Sequence, residues 1–263
     1  MKRIVMLLAA CALSACVTET AGGLPNVKPD LHEAARINTQ LGTGYTHEAL
    51  NASDLGTRRK LLEVALDKLQ KAISQDDDYA PAHAALAYVY ALRGDNDNAD
   101  AEYRRALRLA PDDPDTRNNY GVFLCGQGKT AEAERNFMRA AKNPDYTTPA
   151  AAWTNAGVCA RKAGDLARAE SDFRQALEAD PGFADALAEM AAISFQQHNY
   201  LATRAFLERY QRVAKPSAGL LALGARAERA LGNESAARQY EIKLVRNFPD
   251  SPEAAQILQT ATP

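Results

Sequence analysis

The sequence predicts an all-α fold, a right-handed superhelical solenoid of about six helix–turn–helix repeats closed by a short C-terminal capping helix. Three observations predict it. Pro111, Pro181 and Pro249 each follow an apolar helical run, and helices stop before such prolines. Counting back from these prolines gives a period of about 34 residues. Small residues also recur at fixed positions of that period, as closely crossing helices require.

The chain from residue 31 to residue 263 divides into six units and a cap. The boundaries are 35–79, 80–113, 114–149, 150–183, 184–217 and 218–251, with the cap at 252–263. The second and fourth units carry the fullest signature, with an aromatic residue at position 24, alanine at positions 20 and 27, and proline at position 32. The fourth adds Trp153 at position 4. This length and pattern are those of the tetratricopeptide repeat, a pair of antiparallel helices.

The small residues sit where the two helices of each unit should cross. Position 8 is occupied by Gly42, Ala87, Gly121, Gly157, Ala191 and Ala225. Position 20 is Ala65, Ala99, Ala133, Ala169, Thr203 and Ala237. Position 27 is Ala72, Ala106, Ala140, Ala176, Tyr210 and Leu244. Fifteen of these eighteen residues are Gly or Ala, an excess that generic amphipathic helices do not predict.

Two units depart from the pattern. The first unit has eleven extra residues between Tyr45 and Leu61, and the turn-forming residues there predict a long connecting loop. The sixth unit has Glu241 where a large apolar residue is expected. Terminal repeats are often atypical because one of their sides faces water.

The N-terminus predicts export and lipid anchoring. Lys2 and Arg3 precede an apolar run, 4–13, that fits a secretory signal and is too short to span a bilayer. The run ends in Leu-Ser-Ala-Cys, which is similar to a bacterial lipobox, in which Cys16 is diacylated. The alternative is an ordinary signal peptide with an incidental cysteine. We expect residues 1–15 to be the signal peptide and 16–30 the lipidated N-terminus and flexible tether.

Composition and motifs favour a non-enzymatic protein. The formal net charge is −2, and no basic stripe of the kind that nucleic acid requires is visible. The pair His47-Glu48 lacks the second histidine of a zinc-protease helix, since Asn51 stands there. Phosphate-cradling and nucleophile-elbow motifs are absent from the sequence. We therefore predict no catalytic residue, cofactor, metal or small-molecule substrate.

Two cysteines remain for the mature chain, in an exported and therefore oxidising setting. Cys125 and Cys159 fall on the first helices of consecutive units, which lie side by side in such repeats. We predict a disulfide between them. The alternative is two separately buried thiols, because packed helix axes are about 8–10 Å apart whereas bridged Cα atoms lie within about 7 Å.

The whole chain resembles the type IV pilus biogenesis and stability lipoproteins, pilotins of the PilF/PilW type. The segments that carry the resemblance are 35–42 (ARINTQLG), 118–125 (NNYGVFLC) and 155–159 (NAGVC). The resemblance implies a scaffold that binds the pilus secretin and promotes its outer-membrane localisation and multimerisation, and so supports pilus biogenesis and twitching motility. Val17 after the lipobox cysteine agrees with lipid anchoring on the periplasmic face of the outer membrane.

The partner is expected in the concave groove of the solenoid, which the first helices line. Residues predicted to face it are Arg36, Thr39, Thr43, Ala84, Tyr88, Leu92, Asn118 and Asn119. They form an apolar strip flanked by polar groups, suited to a bound peptide. The alternative is that the apolar ones pack against the next unit and the polar ones are solvated. A second possible function is an adaptor for envelope enzymes such as peptidoglycan hydrolases, or for β-barrel assembly.

Overall fold

The computed structural model describes residues 30–261, with side chains described as far as Leu258. Within this range the chain is entirely helical. The helices are α1 (Leu31–Asn51), α2 (Leu55–Gln75), α3 (Ala80–Leu92), α4 (Asn96–Leu109), α5 (Pro114–Gly126), α6 (Thr130–Ala141), α7 (Pro149–Lys162), α8 (Leu166–Ala179), α9 (Ala184–Gln196), α10 (Tyr200–Val213), α11 (Ala218–Ala230), α12 (Glu234–Asn247) and α13 (Pro252–Ala261). None of these helices is long and apolar enough to cross a membrane.

The helices stack as six pairs followed by α13. Each pair is joined by a three-residue turn, which makes its helices antiparallel neighbours. The backbone of every odd-numbered helix lies against that of the next odd-numbered one, whereas the even-numbered helices of the described chain meet only through side chains, such as Arg168 of α8 with Glu134 of α6. The odd helices therefore form the closely packed inner layer and the even helices the splayed outer layer. The predicted tetratricopeptide-type solenoid is confirmed.

The turns within the second to sixth pairs share one backbone conformation. Gly94, Gly128, Gly164 and Gly232 have positive φ angles of 77°, 73°, 85° and 74°. Glycine takes this left-handed conformation without a steric penalty, which ends the first helix of the pair. In the fifth pair His198 occupies the same place with φ 58°.

Glycines at position 8 allow the closest crossings. A Cβ atom on Gly42 would lie 2.5 Å from Leu69, one on Gly121 would lie 2.6 Å from Phe137, and one on Gly157 would lie 2.5 Å from Phe173. These large side chains are fully buried against the glycines. The small residues are thus required by direct contact between helices, as the period predicts.

The sixth pair crosses one residue earlier than the sequence register predicts. A Cβ atom on Gly224, not on Ala225, would lie 2.6 Å from a ring carbon of Tyr240. The ring of Tyr240 therefore makes the large apolar contact that the repeat register assigns to residue 241. Glu241 instead pairs with Arg229, which explains how a carboxylate is accommodated there.

The long loop predicted in the first unit is wrong. The extra residues lengthen both helices, so that α1 and α2 have 21 residues each and only 52–54 connect them. Asp54 caps α2 by accepting a hydrogen bond from the backbone N–H of Thr57 at 2.7 Å. The Arg58 guanidinium donates to the carbonyl oxygens of Ala49 and Ala52, both at 3.2 Å, which closes the turn.

The inner layer brings the two cysteines together. Cys125 on α5 and Cys159 on α7 are joined by a disulfide, and their Cα atoms lie 5.8 Å apart. Direct contact between consecutive odd helices places these atoms well inside the spacing of average packed helix axes.

Candidate functional site

The inner helices of the first three repeats enclose a cavity of about 380 Å³, which we call the concave cavity. Of the predicted groove residues, Thr43, Ala84, Tyr88 and Asn119 lie in its wall. The remaining lining residues are Ala80, Pro81, Ala85, Ala110, Asp113, Asp115 and Thr116. One side chain from α1, several from α3 and several from α5 thus converge on one site.

The shape of the concave cavity follows from the pattern of α3. Leu86, Ala87 and Val89 are buried in the core, so the neighbouring face of the helix, with Ala84 and Tyr88, turns toward the cavity. The small Ala84 leaves space, and the Tyr88 side chain beside it is 37% exposed. An apolar floor with one accessible aromatic ring is the result.

Four predicted groove residues lie outside this wall. For Thr39 the prediction is wrong, because its side chain is buried and its hydroxyl donates to the Ala35 carbonyl oxygen of the same helix at 2.9 Å. Arg36 forms an ion pair with Glu33. Asn118 accepts a hydrogen bond at 3.0 Å from the Asn155 amide on α7. Leu92 is exposed near the end of α3 but does not line the cavity.

The sequence-based prediction missed the acidic side of the concave cavity. Asp113 caps α5 by accepting a hydrogen bond from the Thr116 N–H at 2.8 Å. Asp115 is exposed, but partial desolvation by the cavity wall, and secondarily the nearby charge of Asp113, raises its pKa. In the sequence these carboxylates look only like a helix start. Their role in the cavity wall depends on the approach of α3, which no local pattern shows.

A buried histidine holds α3 in place behind the cavity. The Nδ1 atom of His83 lies 2.6 Å from Oε2 of Glu102 on α4, and Nε2 lies 2.8 Å from the carbonyl oxygen of Asp77. Burial lowers the pKa of His83, but the hydrogen bonds to Glu102 and Asp77 outweigh burial and raise it. Both ring nitrogens face acceptors, so the protonated form of the ring can donate to both and tie α3 to α4 and to the preceding turn.

An aromatic cluster fixes α5 against the second repeat. The rings of Tyr103 and Tyr120 have centroids 5.2 Å apart, and Tyr103 and Phe123 are 5.7 Å apart. The Tyr120 hydroxyl donates to Oδ1 of Asp100 at 2.7 Å. Burial raises the pKa of Tyr120 to about 12, so this donor keeps its proton at neutral pH. The wall of the concave cavity is therefore preformed.

The chemistry of the site suits binding. Small apolar side chains, one tyrosine, one amide and two carboxylates can accommodate an apolar group of a peptide and a cation beside it. Across residues 30–261, no group of three or more His, Cys, Asp or Glu residues is placed to hold a metal ion.

Comparison with protein-family models agrees with the repeat architecture. Models described as tetratricopeptide repeat match residues 80–123, 124–184 and 160–219. The fold and the inner-layer cavity thus define a tetratricopeptide-repeat scaffold, a class of proteins that bind protein partners.

Comparison with individual related proteins assigns the chain to a family within this class of scaffolds. The type IV pilus assembly protein PilF of Pseudomonas aeruginosa is 29% identical over 246 residues, which cover 93% of this chain and 92% of PilF. A solved structure of P. aeruginosa PilF aligns with a TM-score of 0.72 and 27% identity, over 88% of this chain and 100% of that chain. The crystal structure of PilW, a widely conserved type IV pilus biogenesis factor, aligns with a TM-score of 0.70 and 32% identity, over 86% of this chain and 99% of that one. The chain belongs to the PilF/PilW family of tetratricopeptide-repeat proteins.

Proposed function

We propose that the chain is an outer-membrane pilotin that binds the type IV pilus secretin, promotes its localisation and multimerisation, and so supports pilus biogenesis and twitching motility. Membership of the PilF/PilW family carries the proposal. The concave cavity supports it, because it offers a preformed site for a peptide segment of a partner.

The anchor is the second part of the proposal. Cys16 is the lipidated residue, residues 1–15 are the signal peptide and 16–30 are the tether, which makes the periplasmic face of the outer membrane the site of action. Cys16 and the tether up to residue 29 lie outside the described residues. Several acyl chains on one cysteine give stable membrane attachment, and the attached solenoid would carry its partner to the membrane.

Replacement of Cys16 by Ser tests the anchor. The variant should no longer incorporate labelled palmitate and should leave the outer-membrane fraction, because the acylated thiol is lost. Wild-type protein, followed by palmitate labelling and membrane fractionation, is the reference. Continued palmitate labelling of the variant in the outer membrane would reject the lipobox interpretation.

Tyr88→Glu and Leu92→Glu form a matched pair that tests the cavity. Both side chains are 37% exposed and lie one helical turn apart on α3, but only Tyr88 lines the concave cavity. Tyr88→Glu places a charge in the contact with the bound segment and should strongly reduce detergent-resistant secretin multimers and surface pili. Leu92→Glu should leave both near the wild-type level.

A strain that lacks the protein distinguishes an error in the assigned function from an error in the assigned binding site. Normal secretin multimers in the deletion strain would reject the pilotin assignment. Loss of multimers on deletion, together with normal multimers in Tyr88→Glu, would retain the assignment and reject the concave cavity as the binding site. Thermal unfolding of both purified variants checks that the repeats remain folded.

A further inference from the structure

The third repeat carries a second and larger cleft, which we call the outer cleft, of about 710 Å³. It lies beside α6 and the connection 142–148, which has seven residues where each of the other four connections between repeats has four. The connection is well anchored. Tyr146 is buried, and the Asn143 side chain donates to the Asp112 carbonyl oxygen at 2.7 Å. The outer cleft is therefore a preformed feature of the irregular joint between the third and fourth repeats.

The outer cleft collects cations that have no acidic partner. Arg135, Arg139 and Lys142 are exposed along α6 and its end. Within the described part of the chain, none of them has a carboxylate oxygen within 4.0 Å. Two carboxylates, of Asp112 and Asp145, also border the cleft, so the basic residues remain in excess.

A fourth cation projects into the outer cleft from α5. Arg117 is half-buried, and its guanidinium donates to Oδ1 of Asn136 at 3.3 Å and to the Pro111 carbonyl oxygen. Desolvation, and then the like charge of Arg139, lowers the pKa of Arg117. Repulsion between two arginines held in one cleft would be relieved by an anion bound between them.

Stabilisation of the α6 C-terminus explains only part of this cluster. A cation in the last turn interacts favourably with a helix C-terminus, and Arg139 of α6 has counterparts in Arg108 of α4 and Arg212 of α10. Arg135 lies more than a turn earlier, and Arg117 comes from another helix. Met138 and Pro144 add apolar surface among the cations, which a helix-end interaction does not require.

We propose that the outer cleft docks an acidic segment of a partner protein in which carboxylates alternate with apolar side chains. Arg135, Arg139 and Lys142 extend over roughly 10 Å along α6, which matches about three residues of extended peptide. Alternate residues of an extended segment point the same way. Carboxylates on one side of the segment can then pair with the cations, while the apolar side chains on its other side contact apolar surface elsewhere in the cleft. The cleft lies on the outer layer, so this partner and one in the concave cavity can be bound together.

The test uses full-length protein in a neutral detergent and a short fluorescent peptide that alternates Glu with Leu. The double variant Arg135→Gln/Arg139→Gln should raise the Kd about tenfold or more, measured by anisotropy, because two charge-assisted contacts are lost. The control Arg108→Gln/Arg212→Gln removes the same charge from two exposed last-turn arginines that do not line the cleft. It should change the Kd by less than about twofold.

Three results would overturn the proposal. One is an equal rise in Kd in the cleft and control variants, which would indicate nonspecific attraction. Another is equally tight binding of a peptide that alternates Gln with Leu. The third is binding of phosphatidylglycerol vesicles or inorganic phosphate without binding of the Glu–Leu peptide. All four substituted arginines are exposed, and unchanged thermal unfolding of both variants would show that the comparison concerns binding.

Discussion

The concave cavity and the outer cleft share one helix but have opposite charge. Asp115 of α5 lies in the wall of the concave cavity, and Arg117, two residues later, lies in the wall of the outer cleft. Residues two apart on a helix are separated by about 200° around its axis and do not face each other. A single helix of the inner layer can thus present an acid to the concave cavity on one side and a base to the outer cleft on the other.

The two sites also differ in how they arise. The concave cavity forms where successive repeats are joined by regular four-residue connections, 76–79 and 110–113. The outer cleft forms at 142–148, where α6 is the shortest helix of the six pairs and the connection is the longest between repeats. Regular stacking therefore creates the groove that a repeat period predicts, and a local irregularity creates a site that it does not.

The largest effect is expected from loosening the helix that both sites share. The Cys125–Cys159 bridge ties α5 to α7 and closes a loop with a sequence separation of 34 residues. In the chain-entropy model its loss destabilises the protein by about 3–4 kcal/mol. Replacement of both cysteines by Ala should lower the free energy of unfolding by that order, measured in urea. Binding of the Glu–Leu peptide should weaken with it.

Thiol counting tests the premise of that prediction. Freshly purified protein from the periplasm, denatured without reductant, should contain no reactive thiol at Cys125 or Cys159. Two free thiols per chain would contradict the bridge. The wild-type protein, unfolded with and without reductant, supplies the matched stability comparison without any change of sequence.

The next largest effect on stability is expected from replacing a glycine of α5 that has no room for a Cβ atom. A second glycine of the same helix, which has room for one, is the control. A Cβ atom at Gly121 would lie 2.6 Å from the buried Phe137 ring, whereas one at Gly126 would have nothing within 4 Å. Gly121→Ala should therefore destabilise the protein by about 1–3 kcal/mol through overpacking of α5 against α6. Gly126→Ala should be neutral or stabilise by up to about 1 kcal/mol, since alanine favours the helix. Equal urea midpoints for the two variants would contradict the crossing geometry.

Much of the fold can be predicted because the repeat period fixes which residues must be small. Gly42, Gly121 and Gly157 were identified in this way, and each contacts a large side chain of the second helix. The period does not fix where helices end. Asn51 and Asp54 look like loop residues, but Asp54 caps α2 after a three-residue turn. Likewise, the sixth pair crosses at Gly224 and Tyr240, one residue earlier than the repeat register predicts. The sequence pattern of the sixth unit does not show this shift.

The candidate sites were less predictable than the fold for the same reason. Position in the repeat places Ala84 and Tyr88 on the groove side of α3, and both line the concave cavity. It failed for Thr39, because the short side chain is buried and its hydroxyl bonds to its own helix. The outer cleft depends on the irregular connection 142–148, whose path is set by tertiary contacts such as the burial of Tyr146.

The smallest effect is expected on the affinity of the concave cavity for a basic peptide, because the charge of this cavity is opposite to that of the outer cleft. Asp115→Asn removes a carboxylate from the concave cavity, so binding of a short peptide that alternates Lys with Leu should weaken several-fold, equivalent to about 1 kcal/mol. Arg135→Gln/Arg139→Gln should not weaken this peptide, and Asp115→Asn should not weaken the Glu–Leu peptide. Weakening of both peptides by either variant would show that the two sites are not electrostatically distinct.

The pH dependence of peptide binding provides a second test of the role of the Asp115 carboxylate. The pKa of Asp115 is raised by partial desolvation and by Asp113, so acidification through that raised pKa protonates the carboxyl in the folded protein. Affinity of the wild type for the Lys–Leu peptide should then fall toward that of Asp115→Asn. Stability should move the other way, because a carboxyl whose folded pKa exceeds its unfolded value disfavours folding once ionised. Removing its charge by Asp115→Asn should therefore cost little stability at neutral pH while it lowers affinity, a combination that a purely structural role of Asp115 would not produce.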